Sequence, residues 1–126
     1  MKNIKRFLTI GSRLLLVICI VQISMLALLP SSAIFPATVS DKVLHALAFY
    51  LLSLLVDFAF PKTSFNAFKI IFLLGYGGAI EIVQSFFPYR SCSFADIVAD
   101  GVGIALYLFT IPLLKRLPFI RERWSS

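Results

Sequence analysis

Four apolar stretches, separated by short segments rich in proline, serine and charge, organise this chain. They cover residues 10–29, 43–60, 68–87 and 94–114, the first interrupted by Gly11, Ser12 and Arg13. A helix rises about 1.5 Å per residue, so roughly 20 residues cross a hydrocarbon core of about 30 Å, and each run is long enough or nearly so. Breakers fall between the runs: Pro30, Ser31, Ser32 and Pro36, then 61–66 from Pro61, then 88–93 from Pro88. Connections this short make successive helices antiparallel neighbours. The pattern predicts an all-α membrane protein, a compact antiparallel bundle of four transmembrane helices, with 1–126 as one domain and no linker. Gly75, Gly78 and Ala79 in the third helix, with Gly101 and Ala105 in the fourth, predict close contact between those two helices.

Composition fixes the class independently. Of 126 residues, 60% are hydrophobic and only 14% charged, with a mean hydropathy of +0.94. A soluble domain of this size needs far more polar surface, whereas a membrane bundle needs an apolar exterior. The net charge of +6 is unevenly placed. Lys2, Lys5, Arg6 and Arg13 flank the first run, Lys62 and Lys69 the second connection, and Lys115, Arg116, Arg121 and Arg123 the tail; only Lys42 and Arg90 lie opposite. By the positive-inside tendency both termini are cytoplasmic, and connections 30–42 and 88–93 lie outside. Insertion topology and anionic lipid account for these charges without a nucleic-acid partner. Trp124 beside Arg121 and Arg123 reads as an interface anchor. The first run is longer than the apolar core of a cleaved signal peptide and is read as a retained helix. Cys19, inside the first helix, and Cys92, in the outer connection, differ too much in predicted depth for a disulfide.

The chemistry resides in polar residues that interrupt the apolar runs: His45, Glu81, Asp96 and Asp100. A charge at the centre of a membrane helix costs about 2.5–3.5 kcal/mol even on lenient insertion scales, so such groups face a protein interior or a watery pocket. Asp41 and His45 are four apart, as are Asp96 and Asp100, and Glu81 and Gln84 are three apart; each pair shares a helical face. The predicted topology brings all of them to one outward-facing level. Arg90, on the outer turn, is placed to neutralise Asp96 or to hold a phosphate or carboxylate through its paired donors.

These residues form ordered blocks: Asp41-Lys42-x-x-His45, then Glu81-x-x-Gln84-x-Phe86-x-Pro88-x-Arg90, then Asp96-x-x-x-Asp100-x-x-Gly103. Together they resemble the VanZ-like family of small bacterial membrane proteins. The resemblance spans about half the chain, and the combination of blocks is much more specific than any one of them. It implies a polytopic protein of the bacterial cytoplasmic (inner) membrane, in a family named after a member associated with low-level resistance to the glycopeptide teicoplanin, without a settled biochemical reaction. The matching residues are Asp41, Lys42, His45, Glu81, Gln84, Arg90, Asp96 and Gly103. Asp100 departs from the asparagine expected there, and the extra carboxylate changes the charge of the pocket.

Whether the chain is a binder of an envelope component, a membrane enzyme acting on a lipid head group, or a structural membrane protein with a buried ion-pair network stays open at this level. The ligand-binding candidates are Asp41, Lys42, His45, Glu81, Gln84, Arg90, Asp96 and Asp100, facing a membrane lipid or a lipid-linked envelope component. The catalytic candidates are His45, Glu81 and Asp96, with His45 or Glu81 as proton acceptor and the other as its orienter. No cofactor is implied, and no recognised metal signature is present. His45, Glu81, Asp96 and Asp100 form the alternative in which a divalent ion is held by hard oxygens and one imidazole. Asp57, beside Pro61, reads as snorkelling at the inner edge or capping local polar groups, unless a proton path connects it with Glu81. Tyr76 and Tyr89 read as ordinary interface or packing aromatics. The oligomeric state is not encoded legibly.

Overall fold

The computed structural model describes residues 2–28, 41–87 and 94–124, together with the side chains of all these except Lys2 and Asp41. Among them are four long helices, α1 (Lys2–Ala27), α2 (Asp41–Ala59), α3 (Ala67–Gln84) and α4 (Phe94–Leu114), followed by a short 3-10 helix at Ile120–Trp124. All four are long and apolar enough to cross a membrane. The fold class is the expected one. Helix α1 begins well before the apolar run at residue 10, because Lys5 and Arg6 lower the hydropathy without breaking the helix. At the start of α3, Asn66 is in an extended conformation and its side-chain oxygen accepts the Lys69 backbone N–H. That satisfies one of the donors a helix start leaves unpaired.

The polarity is inverted relative to a soluble bundle. Leu14, Leu47, Ile71 and Phe109, one on each helix, are exposed, while Asp57, Lys69, Glu81, Asp96 and Asp100 are buried. An apolar exterior matches lipid, and helices then associate through packing and interhelical hydrogen bonds rather than through expulsion of water.

Contacts between helices define an up-down-up-down course. His45, early in α2, meets Asp100, early in α4, while Asp57, late in α2, meets Tyr107, late in α4. These two helices therefore run parallel. Helix α1 runs opposite to α2, with Arg13 Nε donating to the Ala59 carbonyl at the far end of α2. It runs alongside α3, where Ser24 meets Tyr76 at 2.7 Å and Gln84 Nε2 donates to the Ala27 carbonyl at 3.0 Å. Helix α2 is the hub: Phe49, Leu52, Leu55, Val56 and Ala59 form the core with Leu16 of α1, Leu73 of α3 and Ile104 of α4.

The most extensive helix interface joins α2 to α4, and α3 contacts α4 less. The glycines responsible differ from those expected. Around Gly75, Gly78 and Gly101 there is no neighbouring atom within 4 Å of an added Cβ. At Gly103 such a carbon would collide with the Ala46 carbonyl and lie 2.9 Å from the Tyr50 nitrogen, so this glycine lets the α2 and α4 backbones touch. Spacing alone does not reveal which face of a helix is packed.

At the end where α2 finishes, a charged network closes the bundle. Asp57, fully buried, accepts from Lys69 Nζ at 3.1 Å, Arg123 Nη2 at 2.7 Å and the Tyr107 hydroxyl at 2.5 Å. Lys69 also donates to the carbonyls of Phe60 and Thr63, and Arg123 to those of Asp57, Pro61 and Thr63. Asp57 is therefore not a snorkelling edge residue, and Lys69 and Arg123 are not solvated flank charges. They are buried because each finds an anion and several carbonyls, which offset the loss of hydration. The 3-10 helix that carries Arg123 is thereby docked, and Trp124 packs edge-on against Phe58 with ring centroids 5.4 Å apart. Phe7 of α1 meets Phe119 just before that helix. Tyr76 is a packing residue, with its hydroxyl donating to the Ile20 carbonyl at 3.1 Å.

Candidate functional site

The other end of the bundle holds the polar residues that the sequence singled out. About 18 Å separates this level from Asp57, from the twelve residues between His45 and Asp57 and the helical rise. Lys42 and His45 lie in the first turns of α2, Asp96 and Asp100 in the first two turns of α4, and Glu81 and Gln84 in the last turn of α3. Because α2 and α4 are parallel, their polar positions pair as rungs. Lys42 Nζ donates to Asp96 Oδ1, and His45 Nδ1 lies 2.8 Å from Asp100 Oδ1. Gly103, three residues beyond Asp100 on α4, sets the close approach that these pairs need.

Helix α3 completes the site with one face. Gly77, Glu81 and Gln84 are all buried and recur at the helical spacing. A Cβ at Gly77 would collide with Asp100 Oδ2 and lie 3.1 Å from the Phe49 ring, so the missing side chain makes room for the carboxylate. Sequence reading passed over Gly77, although its four-residue spacing from Glu81 was a usable signal. Asp100 is a partner of His45.

Ligand atoms of His45, Glu81 and Asp96 all lie within 4.8 Å of one another. Asp96 and Asp100 are 2% and 1% exposed, which rules out an ordinary solvated acidic patch. Arg90, Tyr89 and Cys92 lie outside the described residues, as does the side chain of Asp41. Cys19 is a free thiol in α1.

Beside the cluster is a cavity of about 340 Å³ lined by α1, α2 and α3 and by Asp100 of α4. Its polar lining comes from His45, Gln84 and Asp100, and the remainder is largely apolar, including Ile23, Leu47 and Ile80. Gln84 holds its amide in place by donating to the Ala27 carbonyl. Its buried Oε1 has no hydrogen-bond partner among the described residues.

Fold and site together define a multi-pass α-helical membrane protein with a polar cluster buried at one end of its bundle. The VanZ/LLP1 family model matches residues 4–115, and the chain belongs to that family. The resemblance carried by the motif blocks is borne out. The chain is also similar to an uncharacterized protein of Schizosaccharomyces pombe, 35% identical over 111 residues, covering 84% of this chain and 68% of the relative. No solved structure matches.

Proposed function

We propose that this protein binds the head group of a phosphorylated or lipid-linked envelope component at the His45 end of the bundle, with part of the lipid's apolar chain in the adjoining cavity. The carrying observation is the cavity's two-sided lining, polar at His45, Gln84 and Asp100 and apolar elsewhere. Ligand sites combine a largely apolar concavity with a few placed polar groups, and an amphipathic lipid matches that division. In this reading the protein resides in a bacterial inner membrane with both termini cytoplasmic. The described basic residues support that orientation, because Arg13, Lys62, Lys69, Lys115 and Arg123 fall toward the Asp57 end and Lys42 toward the other. The site then faces outward, where sequestering an envelope lipid would alter glycopeptide (teicoplanin) susceptibility.

A second reading, a membrane enzyme acting on a lipid head group, draws on the His45–Asp100 pair. A carboxylate that fixes an imidazole's orientation is a recurrent arrangement for general acid-base work. Lipid extraction and mass spectrometry of purified wild-type, His45→Ala and Glu81→Ala proteins, compared at equal membrane insertion, test the site. Selective loss of one phosphorylated lipid from both variants is expected, and identical lipid profiles contradict the proposal. The retained lipid then serves as substrate in a turnover assay: product formation selects the enzyme, and saturable binding without product selects the binder.

A further inference from the structure

We infer that His45, Glu81 and Asp96 form a three-ligand site for a divalent transition-metal ion, with Asp100 as the outer partner of the imidazole. The inference concerns the chain's own residues and does not depend on the lipid reading. Three observations carry it. The first is geometric: one nitrogen and two carboxylate donors, drawn from three different helices, come within 4.8 Å of one another. Metal–ligand distances of about 2.0–2.2 Å place adjacent donors of a tetrahedral site about 3.4 Å apart, so a contraction of up to about 1.4 Å seats the ion.

The second observation is the His45–Asp100 pair. Nδ1 is held at 2.8 Å from the carboxylate, so ligation is assigned to the ring's other nitrogen, Nε2. Metal-bound histidines characteristically give their other ring N–H to a carboxylate, which fixes the ring and raises its basicity. The same pairing explains why a carboxylate rather than an amide suits position 100. Lys42 reaches Asp96 through Oδ1, and the carboxylate has a second oxygen for a metal.

The third is Gln84. Its Oε1 is buried and unsatisfied among the described residues, on the α3 face that carries Glu81, and it lines the cavity that His45 and Asp100 also line. A neutral oxygen in that wall suits a cation or its bound water. One imidazole with carboxylate oxygens and no sulfur points to Zn²⁺ or Mn²⁺ rather than to a soft thiophilic ion.

The test uses full-length protein in detergent, with any affinity tag removed, stripped by chelator and titrated with Zn²⁺ or Mn²⁺. One ion per chain is expected. Glu81→Gln and Asp96→Asn should abolish saturable binding, and Asp100→Asn should weaken it about 10- to 100-fold, as loss of an outer-sphere partner does. X-ray absorption on the wild-type Zn²⁺ form gives a readout that no variant's folding can compromise: one imidazole with oxygen neighbours is expected. Absence of saturable binding to stripped wild-type protein overturns the inference. So does a coordination sphere containing sulfur from Cys19, or unchanged affinity in both ligand variants. Because the titration is performed without lipid, its outcome is separate from that of the lipid-retention experiment.

Discussion

His45 Nδ1 and Asp100 Oδ1, 2.8 Å apart, join α2 to α4 at the level where α3 contributes Glu81. Both partners belong to helices long and apolar enough to cross a membrane, and Asp100 is almost wholly buried. Gly77 and Gly103 have no alternative residue that keeps this geometry: one clears space for the Asp100 carboxylate and the other brings the two backbones together.

Replacing Asp100 separates the hydrogen bond from the charge. Asp100→Asn retains an acceptor for His45 Nδ1, and its thermal unfolding in detergent should stay close to wild type. Asp100→Leu leaves that nitrogen without its carboxylate and should cost about 1–3 kcal/mol. The two midpoints, measured side by side, check the pairing; equal losses would mean that the charge, not the hydrogen bond, stabilises the end of the bundle.

The network at Asp57 predicts larger losses. Asp57→Ala strands Lys69 and Arg123 in a buried site and should destabilise the protein by about 3–5 kcal/mol, the usual penalty for leaving one partner of a buried pair uncompensated. Tyr107→Phe removes one donor to the carboxylate and should cost about 1.5–3 kcal/mol. A double-mutant cycle between Asp57 and Arg123 should return a coupling well above experimental error; additive losses would place Arg123 outside the network in solution.

Gly103 makes a steric prediction. Gly103→Val drives side-chain atoms into the Ala46 carbonyl and Tyr50 backbone, so α2 and α4 must separate. A loss of at least about 1–3 kcal/mol is expected from such overpacking. Gly101→Ala, on an open face, should change the unfolding midpoint little.

The first turns of α1 and the 3-10 helix share the Asp57 end, where Phe7 meets Phe119 and Arg123 docks. A fluorescent protein that matures only in the cytoplasm, fused after Ser126, should therefore fluoresce, while a periplasmic phosphatase fused at the same place should be inactive. The opposite pair of results would turn the His45 site toward the cytoplasm.

The four helices were legible because hydrocarbon thickness imposes a long apolar run on each, and the polar residues inside those runs were legible as exceptions. His45, Glu81 and Asp96 do come together, since the alternating course of the helices carries the ends of α2, α3 and α4 to one level. Three features were hidden for physical reasons. The α1 extension was missed because a helix can continue through the interface on residues such as Lys5 and Arg6 that carry no apolar signal. Lys69 and Arg123 were read as topology charges, and only their meeting with Asp57 distinguishes them from solvated ones. Gly77 and Gly103 were passed over as contact points in favour of Gly75, Gly78 and Gly101, because small residues at matching intervals do not specify which face is covered.

The proposed lipid occupant of the cavity beside His45, Gln84 and Asp100 is open to a direct test. Native mass spectrometry compares the wild-type protein with an Ala48→Phe variant, since Ala48 lines the cavity without belonging to the polar cluster and a larger side chain there takes up cavity volume. A phosphorylated-lipid adduct on the wild type, lost or strongly reduced in Ala48→Phe, is expected, with both proteins equally monodisperse. An adduct of the same identity and occupancy on both proteins would contradict the proposal.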